Sequence, residues 1–294
     1  MSSNQEGGDE SVEWFIYRGG IVPCGVKCTH IQVKGTTRID CEAFTNCHRY
    51  LRVVEICEGV KEIGRNAFHL CENLHSITFP RTLTSIEQGA FSLCTSLKRV
   101  ELPEGIESIG GCAFYGCTSL EFINLPSTVT SIEIVGTFWG CKSLKSIDIP
   151  PSVNLIALCT FRDCTVLESI SIPPSVTSID HYAFKGCEKL KEVTFQSPHQ
   201  LRNIHHGAFQ NCLALEEIKI PQTVTMISWL SFQSCENLKK VDLCGGSPKI
   251  HGNAFENCPR LDHSNIIATS RMSIDAFRRF ARIDIFRRMH AMSN

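Results

Sequence analysis

The segment Ala113-Phe114-Tyr115-Gly116-Cys117-Thr118-Ser119-Leu120-Glu121-Phe122-Ile123-Asn124-Leu125-Pro126-Ser127-Thr128-Val129-Thr130-Ser131-Ile132 decides the fold, because its pattern recurs along most of the chain. Its phenylalanine returns at Phe44, Phe68, Phe91, Phe114, Phe138, Phe161, Phe184, Phe209, Phe232 and Phe255, at gaps of 23 to 25 residues. Three residues after each comes a cysteine: Cys47, Cys71, Cys94, Cys117, Cys141, Cys164, Cys187, Cys212, Cys235 and Cys258. A leucine follows the cysteine, then an Ile-x-Leu-Pro-like segment, then a valine and an isoleucine three apart. Self-similarity at such a period marks a stacked array.

The chemistry of one unit explains the repetition. A single coil has too few large apolar side chains to offset the entropy of ordering its backbone, so it folds only against its neighbours. Ile123-x-Leu125 has the two-residue alternation of a strand with one buried face. Pro126, which lacks an N–H, ends that strand. Val129 and Ile132 suit a second short extended piece, and Ala-Phe-x-x-Cys a short helical or irregular turn on the opposite side. The expected product is a repeat solenoid: a right-handed arc of about ten coils with a parallel β-sheet roughly 45–50 Å long.

The pattern AF-x2-C-x2-L-x2-I-x-LP-x2-V-x2-I resembles the BspA-type leucine-rich repeat, also called the Treponema pallidum type, over residues 39–261. The resemblance implies interaction or adhesion rather than catalysis. Bacterial members of that family are commonly secreted and some protist members surface-anchored. The entry segment around Trp14-Phe15-Ile16-Tyr17 and His30-Ile31-Gln32-Val33 is similar to the opening of soluble diatom-like algal members.

Composition narrows the function classes. The net charge of −1 supplies no overall field for nucleic acid or an anionic membrane. The polar, acidic start lacks the form of a secretory signal, and no apolar run reaches the length of a membrane helix. A cytoplasmic monomer without a cofactor is the expectation. No phosphate-binding loop, GxSxG or HExxH is present, so no enzyme is expected.

The residue after the repeat leucine alternates in sign through Lys98, Glu121, Lys145, Glu168, Lys191, Glu216 and Lys239. Stacked coils would bring these charges together, as a register-fixing ladder or as a polar recognition face. Three irregularities predict bulges: one residue inserted before Thr137-Phe138, two extra in Ser197-Pro198-His199-Gln200, and Ser247 in place of the closing valine. Apolar residues stand where other coils are polar or small: Ile134, Val135, Leu155, Leu158, Met226, Trp229 and Leu230, with Tyr115 and Trp139 just after the motif phenylalanine. They are the candidate partner-binding residues. The bland alternative is that they fill a bulge or ridge.

The seventeen cysteines at first suggest a disulfide scaffold, but ten belong to the repeat. Stacked side chains stay near the 4.8 Å coil spacing, wider than a disulfide prefers, so buried free thiols are expected. Cys24, Cys28 and Cys41 could form a three-thiol metal cluster, and His181, His205 and His206 fall in adjacent coils; neither pattern specifies a metal site. Cys112 and Cys159 read as edge residues.

Four segments follow: a disordered acidic 1–11, a cap with a degenerate first coil at 12–38, the repeats at 39–262, and a basic amphipathic helix at 263–294. Six arginines face two aspartates within 271–294, with Arg278, Arg279, Arg282, Arg287 and Arg288 opposite an apolar face. That helix can cap the last coil, dock on a partner, or do both. The chain reads as a non-catalytic protein-interaction module or adaptor. A cell-surface adhesin or receptor-like protein and a thiol- or metal-dependent sensor are the alternatives.

Overall fold

A computed structural model describes residues 13–129, 131–132, 135–262 and 266–267. The chain is a parallel β-solenoid of about nine turns. Each full turn contributes two short strands, so the expected second extended piece is a ladder of its own. The first ladder holds the Ile-x-Leu segments, and its first block runs Trp14–Tyr17, His30–Val33, Val53–Ile56 and Ser76–Thr78. Further blocks pair Arg99–Glu101 with Phe122–Asn124, Ser169–Ile172 with Glu192–Phe195, and Glu217–Lys219 with Lys240–Asp242. Ile266–Ile267 pairs in parallel with Val241 and Asp242, so this ladder gains a rung beyond residue 262. The rest of the segment expected to form the basic capping helix, including all five of its named arginines, lies outside the described residues. No helix occurs among the described residues.

The second ladder carries the Val-x-x-Ile ends as two-residue strands, from Arg38–Ile39 to Ser131–Ile132 and again from Leu155–Ile156 to Lys249–Ile250. It divides at the predicted insertion, where Glu133 and Ile134 lie outside the described residues. An isolated bridge between Val135 and Leu158 then rejoins the coils. The two extra residues near Ser197-Pro198 are absorbed before the next rung, because Asn203-Ile204 still pairs in register with Ser178-Ile179.

Of the helical or irregular turn expected on the third side, the structure shows the irregular one. Residues two before the motif phenylalanine, from Glu42 to Leu230, have φ between 54° and 66°. Most residues two after it are left-handed as well, among them Leu70, Gly116 and Asp163. This alternation points every second peptide N–H toward the next coil. Around Phe91 the amides of Gly89, Phe91 and Leu93 donate to the carbonyls of Gly111, Ala113 and Tyr115. The intervening peptides close turns within the coil, as Ala90 N–H to Glu87 O and Cys94 N–H to Phe91 O. Each peptide thus has a partner, which a buried turn requires. The left-handed non-glycine residues cost about 1–2 kcal/mol each, and the inter-coil bonds offset that strain. Gly136 and Gly207 occupy the same slot without it.

The core is a column of rings. From Phe44 to Phe255 each motif phenylalanine stacks on the next, with centroids 4.6–5.8 Å apart and planes within 17°. Tyr17 starts the column, 5.0 Å from Phe44. Its hydroxyl donates to Gly20 O at 2.8 Å and accepts from Asp40 N–H at 3.1 Å. Burial pushes the Tyr17 phenol up to about 12. The predicted extended cap is therefore the first rung itself.

Candidate functional site

On the turn side, inter-coil bonds fix which side chains become neighbours. Gly136 N–H donates to Leu158 O, Cys159 N–H to His181 O, Tyr182 N–H to His206 O, and Gly207 N–H to Trp229 O. Val135, Leu158, His181, His206 and Trp229 therefore form one row along the solenoid corner, His181 and Trp229 exposed and the other three half-buried. Toward the N-terminus the same row continues as Gly111, Gln88 and Arg65, so its apolar character is confined to the later coils. Trp229 is 57% exposed and packs against His251 at 5.4 Å. His181 and His206 bridge Leu158 and Trp229, a juxtaposition that depends on the rung register and that the two-residue insertion at 197–200 hides in the sequence.

The other expected contact residues divide among several places. Trp139 is half-buried: its indole N–H donates to Asp163 Oδ2 at 3.0 Å, and the Arg162 guanidinium lies 4.5 Å from its ring. Tyr115 meets it edge-on at 5.2 Å. These two stitch neighbouring coils. Leu155 and Met226 lie on the second ladder, separated by the rungs of Ser178 and Asn203. Leu155 is exposed and Met226 half-buried. Leu230 is half-buried in a left-handed slot beside Trp229. Ile134 lies outside the described residues. The candidates thus form a corner row, a stitched pair and two separated ladder positions.

The charge row closes as ion pairs at Glu168–Lys191 (3.7 Å) and Glu216–Lys239 (2.8 Å). All four side chains are well exposed, so solvent screens both pairs and neither adds much to stability. Lys239 holds the Glu216 carboxyl below its ordinary range through a hydrogen bond. Beside the inserted loop, a groove of about 920 Å³ runs between Phe195, His199, Glu217 and Cys244. Its mouth carries both charge signs.

The cysteine column is buried. From Cys94 onward each thiol donates to the carbonyl of the phenylalanine in the preceding coil, as Cys94 Sγ to Phe68 O at 3.2 Å and Cys187 Sγ to Phe161 O at 3.1 Å. Burial pushes these thiols far up, Cys117 to about 12, which removes them as nucleophiles at neutral pH. Cys28 is buried, while Cys24 and Cys41 are exposed. Among the described residues those three thiols form no convergent metal-binding group; Asp180, His181 and His205 do. Burial lowers the pKa of both His205 and His206.

A family model described as the BspA type leucine-rich repeat region matches residues 24–136 and 135–262, in six copies. A leucine-rich cell surface protein from Faecalibacterium prausnitzii is 28% identical, over 87% of this chain and 83% of that one, with a TM-score of 0.46. The Treponema pallidum leucine-rich repeat protein is 25% identical over 67% and 78%, with a TM-score of 0.41. The pneumococcal vaccine antigen PcpA is 22% identical over 74% and 57%, with a TM-score of 0.53, a likeness of fold. No curated protein matches the chain. No helix of the described residues is long and apolar enough to cross a membrane.

Proposed function

Because the chain belongs to the BspA-type leucine-rich repeat family, we propose that it is a non-catalytic protein-interaction module whose contact surface is the corner row from Val135 to Trp229. The exposure of Trp229 carries this reading. A tryptophan held on a hydrogen-bonded backbone loses little entropy on binding and brings a large apolar area, the properties of an interface anchor. Val135 and Leu158 extend the apolar contact, and His181 and His206 give it polar specificity. Trp139 drops out as an independent anchor, since its indole N–H and ring faces are already engaged. The basic segment with Arg278, Arg279, Arg282, Arg287 and Arg288 remains part of the proposal as a second docking element.

The test is proximity labelling in the native organism, followed by affinity measurement with the recovered partner. Trp229→Ala is expected to weaken binding by about 30-fold, the scale of a 2 kcal/mol hot spot, and Leu158→Ser by less. Full binding by both variants to every recovered partner would remove this surface from consideration. The proposal includes a cytosolic location, where a reducing compartment would keep the exposed thiols of Cys24, Cys41 and Cys244 reduced. Recovery of the protein from the cell surface would favour the adhesin-like alternative.

A further inference from the structure

We propose that Asp180, His181 and His205 form a binding site for a divalent transition-metal ion of the zinc type at the solenoid corner. The inference does not depend on the interaction reading. It rests on register. Ile179 pairs with Ile204 across the second ladder, so the dipeptide that follows each strand, Asp180-His181 and His205-His206, is stacked on the other. One ligand atom from each of Asp180, His181 and His205 lies within 4.8 Å of the other two. A tetrahedral ion with bonds of about 2.0–2.2 Å to nitrogen and oxygen needs its ligands roughly 3.4 Å apart. Side-chain rotation covers the difference, and the backbone need not move: Asp180 N–H is fixed on Ile156 O at 2.8 Å and His205 N–H on Ile179 O at 2.9 Å.

The local chemistry favours a cation there. Asp180 Oδ1 accepts the backbone N–H of His181 at 2.7 Å and also contacts the His181 Nδ1. A metal ion placed at this contact would be held by the carboxylate and the imidazole together. His205 stacks 5.0 Å from His181, which brings the two imidazoles together on adjacent coils. His206 is set apart: it meets Tyr182 edge-on at 5.1 Å, and its ring lies 6.3 Å from that of His181. The set is therefore two imidazoles and one carboxylate. Three protein ligands leave a fourth position for water or an incoming donor, as in open zinc sites. The His181 side chain, 49% exposed, puts that position at the surface.

Cobalt(II) titration of the purified, reduced full chain tests the proposal, since its visible spectrum separates nitrogen and oxygen ligation from thiolate ligation. The expected result is one saturable equivalent without a thiolate charge-transfer band. Its affinity should fall at least tenfold in both His181→Gln and His205→Gln and persist in His206→Gln. Circular dichroism melting establishes that each variant is folded. Absence of saturable binding overturns the site. So does binding that carries the thiolate band, or binding unchanged in the His181 and His205 variants. Equal loss in His206→Gln overturns the three-ligand assignment.

Discussion

Replacing Phe161 tests whether the ring column, rather than apolar burial alone, joins the coils. Phe161 is 1% exposed and lies between Phe138 at 5.6 Å and Phe184 at 5.3 Å, nearly parallel to both. Phe161→Ala removes a buried ring from the middle of the array and should cost about 3–5 kcal/mol. Phe161→Leu keeps most of the apolar bulk but abolishes two ring pairs. At about 0.5–1.5 kcal/mol per pair beyond area, it should cost about 1–3 kcal/mol. The decisive measurement is a double-mutant cycle by urea unfolding with Phe161→Leu, Phe184→Leu and the pair, checking that the m-value is constant. Only one shared ring pair separates the two sites, so a coupling of about 0.5–1.5 kcal/mol is expected. Strict additivity, within about 0.3 kcal/mol, would refute the idea that stacking stabilises beyond burial.

Thiol labelling of the native protein should modify Cys24 and Cys41 quickly, since both are exposed, and Cys244 more slowly, since partial burial and Asp242 raise its pKa. The buried column from Cys71 to Cys235 should react only on unfolding, as peptide mass spectrometry would show. Comparable native rates across both groups would contradict the raised column pKa values. Stability should also decline on acidification through about pH 6.5, the unfolded histidine value. His205 and His206 have folded pKa values below it, so between the two values the unfolded chain binds more protons and gains population as pH falls. Thermal melts from pH 7.5 to 5.5 should show a drop that His205→Gln reduces; an unchanged slope in that variant would assign the effect elsewhere.

The repeat was legible in the sequence because its physical cause is local: an apolar residue at a fixed phase of a 23-residue coil must point inward. Phe, Cys, Leu, Ile and Val therefore declared the core, and Pro126 and its equivalents the strand ends. The turn side is less legible for an equally physical reason. Its geometry depends on left-handed φ, and the slot before the phenylalanine is filled by Glu42, Asn66, Cys112, Cys159, Tyr182 and Leu230 as well as by glycine. No composition rule marks such a column, because inter-coil hydrogen bonds rather than intrinsic preference hold it. The apolar departures were visible as residues but not as a surface, since Leu155 and Met226 face a different side from Trp229. Trp139 and Trp229 looked alike in sequence; an aspartate and an arginine from the next coil separate their roles.

That contrast explains why individuality gathers at the corner. Positions on the two ladders alternate between the core and a face crossed by neighbouring rungs, so a change there is felt by two adjacent coils. In the corner row the backbone amides and carbonyls do the joining, and the side chains are left free to vary. Arg65, Gln88, Gly111, Val135, Leu158, His181, His206 and Trp229 occupy equivalent turn positions with the same inter-coil bonding, yet span charge, absence of a side chain, aliphatic bulk, imidazole and indole. A row that tolerates all of these without disturbing the stack can be changed at little cost in stability. Trp229→Ala should accordingly leave the melting temperature almost unchanged while Phe232→Ala, three residues away in the buried column, lowers it steeply. An equal loss in both would mean that the corner row carries the fold as well, and that its variety has some cause other than freedom from packing.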